Sequence, residues 1–108
     1  MKKIIYLESI TVSQSKVIKK KLNMKHLLII DYLNQFFTSG NARCKIYNGQ
    51  TYYLITLNKI LEDLPILGIK KRRLQEIIKD LETANIIIKL STNSSLRFIK
   101  LNLYPILF

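Results

Sequence analysis

An α+β fold, with helices gathered around one core and β-hairpins closing it, is the class this sequence predicts, on three observations. Two stretches carry apolar residues at helical spacing, Leu57, Ile60, Leu61 and Leu64, then Leu74, Ile77, Ile78 and Leu81. Each is the i, i+3, i+4, i+7 stripe of a helix lying on a core. Between them Pro65-Ile66-Leu67-Gly68 has the composition of a tight turn. Asn48-Gly49 stands between β-prone runs, and a type I′ hairpin turn selects that pair because both positions need positive φ.

The remaining elements follow from local chemistry. Residues 3–7 read as a strand, at an edge. Ser13 is placed to cap a short helix with Val17 and Ile18 on one face and Lys16, Lys19, Lys20 and Lys21 on the other. Asn23 caps a longer helix from Met24 to about Thr38, and Leu22 and Leu27 have the spacing of a hydrophobic staple around that cap. Leu28, Tyr32, Gln35 and Phe36 run down one side, while Ile29, Ile30, Leu33 and Phe37 widen its apolar surface. This is the expected central helix, ended by Gly40. Thr56 caps the next helix and Pro65 forbids its continuation. A helix beginning at Lys70 closes at Asn85, a residue that tolerates the left-handed conformation. Residues 86–90 and 96–103 form two strands around a polar tip at 91–95. The expected order is β-α-α-ββ-α-α-ββ.

Helix, turn, basic helix, hairpin is the layout of a winged helix-turn-helix, here helix-turn-helix over about residues 56–85 and wing over about 86–103. The chain, 108 residues, is expected to form one such domain. Its formal charge is +11, from 18 basic and 7 acidic residues, which favours a polyanionic partner. With 48% hydrophobic residues it is too apolar for a disordered basic tail. The one cysteine, Cys44, excludes an internal disulfide framework and suits a reducing cytoplasm. Glu8 interrupts the first apolar run before a signal core or membrane span forms, so a cytoplasmic, non-membrane protein is expected.

The cations Lys70, Lys71, Arg72 and Arg73 open a helix, where each opposes the macrodipole at about 0.3–1 kcal/mol when exposed. Double-stranded DNA would convert that cost into binding. Arg72, Gln75 and Lys79 form an outward row able to reach base edges, arginine pairing with guanine and glutamine with adenine. Lys70, Lys71 and Arg73 suit phosphates, and Lys89, Arg97 and Lys100 place the wing on the flanking backbone. The plainer alternative is a solvated helix, which Glu76 on the same face favours. Lys16, Lys19, Lys20 and Lys21 make a second basic patch that serves phosphates or solubility.

From Val17 to Met24, through Tyr47-Asn48-Gly49-Gln50-Thr51-Tyr52-Tyr53-Leu54 and Leu64-Pro65-Ile66-Leu67-Gly68-Ile69-Lys70-Lys71-Arg72-Arg73-Leu74, to Leu81-Glu82-Thr83-Ala84-Asn85-Ile86-Ile87, the chain resembles one family. It is that of the amino-terminal winged-helix domains of phage and plasmid replication initiators, which includes the DnaD-type replisome organisers. The resemblance implies DNA recognition in replication initiation or transcriptional regulation, with Lys71, Arg72, Gln75 and Lys79 on DNA-facing positions. It departs from the pattern at Lys70, where such domains carry a Ser or Thr cap. The larger initiators continue into a second domain, so the chain is expected either to carry DNA recognition alone or to be one domain of a longer protein.

Two other functions are open to this sequence. A winged helix also serves as a protein-docking module without DNA binding. A hairpin bearing Tyr47, Tyr52, Tyr53 and Lys45 offers stacking surfaces to single strands, although alternate tyrosines on a strand face core and solvent in turn. The apolar end Leu103-Tyr104-Pro105-Ile106-Leu107-Phe108 must pack on the chain's own first strand or on a second copy, giving a homodimer through the terminal strands. His26 and Cys44 read as solitary. Without metal-ligand spacing, a nucleophile–base set or a glycine-rich phosphate loop, the chain is expected to be no enzyme and to need no cofactor.

Overall fold

The computed structural model describes residues 4–90 and 97–108. The chain is a mixed α+β protein with two small sheets. Its elements are β1 (Ile4–Tyr6), β2 (Thr11–Ser13), α1 (Gln14–Lys19), α2 (Met24–Thr38), β3 (Cys44–Tyr47), β4 (Gln50–Ile55), α3 (Leu57–Asp63), a 3-10 turn (Pro65–Leu67), α4 (Lys71–Thr83), β5 (Ile87–Lys89) and β6 (Arg97–Leu101). The expected order omitted β2. Its three residues give too short a pattern to show periodicity, and only their pairing with β1 and the chain end makes them a strand.

The helix starts follow from their caps. Ser13 Oγ accepts from the Lys16 N–H at 3.5 Å, Asn23 Oδ1 from Lys25 N–H at 2.9 Å, and Thr56 Oγ1 from Lys59 N–H at 3.2 Å. Each satisfies a donor the helix leaves orphaned. Lys70 is the N-cap of α4 and supplies no such bond, so the helix proper begins one residue later than expected, at Lys71. Its far end closes as foreseen. Asn85 stands at φ 61° and the Ile86 N–H reaches back to the Leu81 carbonyl at 2.9 Å, a Schellman closure. Gly68, also at φ 61°, turns the chain out of the 3-10 segment into α4.

The central helix α2 buries Leu27, Ile29, Ile30, Leu33 and Phe37. Around it gather Ile60 of α3, Leu74, Ile77, Ile78 and Leu81 of α4, and Ile55, Ile87 and Ile99 of the sheet. Leu28, Tyr32 and Phe36 are only partly buried against this cluster. They line an open groove of about 950 Å³ with Leu7, Leu64 and Asp31.

The larger sheet is antiparallel in the order β3-β4-β6-β5. Asn48 and Gly49, at φ 51° and 74°, make the β3–β4 turn. The β5–β6 hairpin forms as expected, but the tip at 91–95 and the start of its second strand at Leu96 lie outside the described residues. The apolar carboxy-terminal segment packs on its own chain. Ser13 N–H donates to the Ile106 carbonyl at 2.9 Å, Leu107 bridges Val12, and Ile106 is fully buried. Among the described residues no helix is long and apolar enough to cross a membrane.

Candidate nucleic-acid interface

Helix α4 divides sharply by face. Leu74, Ile77, Ile78 and Leu81 are buried, whereas Lys71, Arg72, Arg73, Gln75, Glu76 and Lys79 are exposed. At 100° per residue the two sets occupy opposite sides. Arg72, Gln75 and Lys79 make no side-chain hydrogen bond or ion pair among the described residues, so the expected outward row is free to meet a ligand.

Two of the three acidic residues of α4, Glu76 and Asp80, are not, while Glu82 is partly buried near the end of the helix. Glu76 accepts from Arg73 Nη1 at 3.0 Å, three residues back along the helix. Such an exposed pair adds little stability, up to about 1 kcal/mol, but it neutralises the carboxylate that stands among the cations. It also occupies Arg73, which the sequence assigned to phosphate contact. Asp80 turns away from the outward row and binds His26 Nε2 at 2.9 Å.

That bond corrects the reading of His26 as solitary. The imidazole is buried and works at both ring nitrogens. Nδ1 meets the Asn23 backbone N–H at 3.1 Å and closes the capping box of α2, while Nε2 reaches Asp80 across to α4. One side chain thereby fixes the start of the central helix against the carboxy-terminal part of the basic helix. The partner lies 54 positions away, so the sequence held no local signal for it. A histidine three residues after an Asn cap was the only visible hint, since that position reaches back to the cap.

The wing residues separate. Lys89 pairs in register with Ile99, and Lys100 with Ile88. Because side chains alternate across a strand, Lys89 shares the core-side face with Ile87 and Ile99, and Lys100 projects from the opposite face. Lys100 is therefore not grouped with α4, and its ammonium donates to Gln50 Oε1 at 2.9 Å. Arg97 lies opposite Ile55 in the ladder, and its side chain is outside the described residues. Lys70 and Lys89 are exposed.

The tyrosines also divide. Tyr53 turns inward and stacks on Phe37, with ring centroids 4.7 Å apart and planes 9° from parallel. Tyr47 and Tyr52 lie on the other face, as the pairs Tyr47–Gln50 and Lys45–Tyr52 require. Cys44 is exposed on the edge strand β3. Among the described residues no cluster of His, Cys, Asp or Glu is arranged to hold a metal ion. Comparison of the chain with protein-family models, with curated proteins and with solved structures returned no match.

Proposed function

We propose that this chain is a winged helix-turn-helix domain that binds double-stranded DNA sequence-specifically, in replication initiation or transcriptional regulation of the phage or plasmid kind. The observation that carries the reading is the uncommitted row Arg72, Gln75 and Lys79 on a helix where two of the three carboxylates, Glu76 and Asp80, are paired, leaving Glu82. Inserted in the major groove, this row meets base edges, with arginine bidentate to guanine and glutamine to adenine. Lys70 and Lys71, at the helix start, contact phosphates and position the domain. Lys89, on the sheet face that packs toward α4, extends the contact to the flanking backbone. The topology supports the same reading, since β4 leads into α3 and α4 and then lies beside the hairpin that follows them.

The rival reading is a protein-docking module, favoured by the exposed rings of Tyr104 and Phe108 and by the apolar groove beside α2. Under either reading a homodimer would use β1, which among the described residues pairs on one side only, with β2. Fluorescence anisotropy with random duplex across a salt series separates the two. DNA binding requires a log–log salt slope of about −3 to −5, one counterion for nearly every phosphate met. Double substitution Arg72→Ala with Lys79→Ala then abolishes it. A flat, undetectable titration at low salt would remove DNA and leave docking.

A further inference from the structure

The face of the four-stranded sheet turned away from the core has no assigned task. Its composition follows from register alone. Tyr47 stands opposite Gln50, Lys45 opposite Tyr52, Leu54 opposite Phe98, and Ile88 opposite Lys100. Continuing the Tyr53–Ile99 pair by one step sets Tyr52 beside Lys100. Tyr47, Tyr52 and Phe98 therefore lie on a diagonal across β3, β4 and β6, each ring one strand over and one row along from the last. Such diagonal neighbours are about 7–8 Å apart, within reach of one continuous ligand. Lys45 and Lys100 flank the middle ring, one on each side.

None of this diagonal serves the core. Tyr52, Leu54, Ile88 and Phe98 are partly exposed and belong neither to the buried cluster nor to the layer packed against it, and Tyr47 is 51% exposed. The four strands contain no aspartate or glutamate. A cluster of rings interleaved with cations and free of carboxylates is complementary to an unpaired polynucleotide. Bases have flat faces to stack on the rings, and the linking phosphates meet the lysines.

We propose that this sheet face binds single-stranded DNA, with bases stacked on Tyr47, Tyr52 and Phe98 and phosphates held by Lys45 and Lys100. Gln50 Oε1 holds the Lys100 ammonium at 2.9 Å and leaves its other protons for phosphate. The amides of this face are engaged within the protein, Gln50 by Lys100 and Asn102 by the Asn85 carbonyl at 3.1 Å. What remains are rings and ammonium groups, which do not select for a 2′-hydroxyl. The choice of DNA over RNA rests on the duplex reading above, since a duplex held at α4 supplies the strand. The stacking face itself stands on the sheet register alone.

The test is anisotropy of the full chain with labelled oligo-dT, oligo-U and a random duplex. Oligo-dT binds, and Tyr52→Ala and Tyr47→Ala each weaken it roughly 5- to 100-fold, the range for loss of one stacking ring, with duplex affinity unchanged. Lys45→Gln lowers the oligo-dT salt slope by about 0.7. Tyr47 is exposed at the sheet edge, so its variant keeps the test informative should Tyr52→Ala unfold. Wild-type oligo-dT affinity in both tyrosine variants, no oligo-dT binding at low salt, or tighter binding of oligo-U overturns the proposal. Oligo-dT binding that needs the tyrosines, without any duplex binding, upholds the stacking face and overturns the α4 reading instead.

Discussion

Arg72 and Lys71 are adjacent in sequence, yet under the proposed duplex reading they meet different parts of the DNA and should fail differently. Arg72→Ala is expected to relax preference at one base position, at a cost of about 1–3 kcal/mol on the preferred site and less elsewhere. Lys71→Ala should weaken all sequences alike and reduce the salt slope by about 1. Equal losses for both variants on every sequence would refute base reading by Arg72. A second residue pair acts on stability. The Tyr32 hydroxyl donates to Asp63 Oδ2 at 2.5 Å, joining α2 to the end of α3. That bond, with help from Lys59, holds the Asp63 carboxyl below the usual carboxylate range. Burial, and then the same bond, pushes the Tyr32 phenol above the usual tyrosine range. The depressed carboxyl contributes stability above the ordinary carboxylate range, lost as pH falls through the native value. The raised phenol contributes stability below the ordinary tyrosine range, lost as pH climbs from there toward the native value. Tyr32→Phe should therefore flatten both limbs of a urea-midpoint profile against pH, and unchanged limbs would show that the bond does not couple to folding.

Among the elements, α4 is held by its neighbour α2 through His26. Its buried stripe fixes which side faces inward, and His26 fixes its position along α2. His26→Ala would leave the Asn23 N–H without its acceptor and Asp80 without its partner. The expected loss is about 1–3 kcal/mol, and it should be accompanied by weaker duplex binding although His26 is buried away from the proposed DNA face. Asn23→Ala removes the cap from the same helix and should cost about 1 kcal/mol. Denaturant unfolding of the two variants and their double mutant measures the coupling, and strict additivity would mean that the box does not act as a unit. Element ends differed in how legible they were. Asn85 announced its left-handed turn by residue type. The end of α1 is made the same way at Lys21, φ 59°, with the Leu22 N–H bound to the Val17 carbonyl at 3.2 Å, and a lysine carries no such signal.

For the whole molecule, the two chain ends share one small region. Ile106 fills a fully buried site beside Val12, and Lys16 Nζ donates to the Leu107 carbonyl at 2.9 Å. Ile106→Ala should lose about 2–5 kcal/mol, read as a lower urea midpoint. A shift within error of wild type would mean that the tail is not part of the cooperative core.

The amino-acid sequence by itself determined the class of fold, the starts of the three capped helices, the hairpin turn at Asn48-Gly49 and the basic outward row of α4. All of these are local: a cap, a positive-φ pair or a 3.6-residue period is written within a few neighbouring positions. Only the tertiary structure decided which side chains are free to bind. It paired Asp80 with His26 across two helices and sent Lys89 and Lys100 to opposite faces. It also gave the apolar tail to its own chain and assembled an aromatic diagonal from three strands. Those outcomes depend on register and long-range packing, where one residue of slip reverses every face, and no local pattern encodes them.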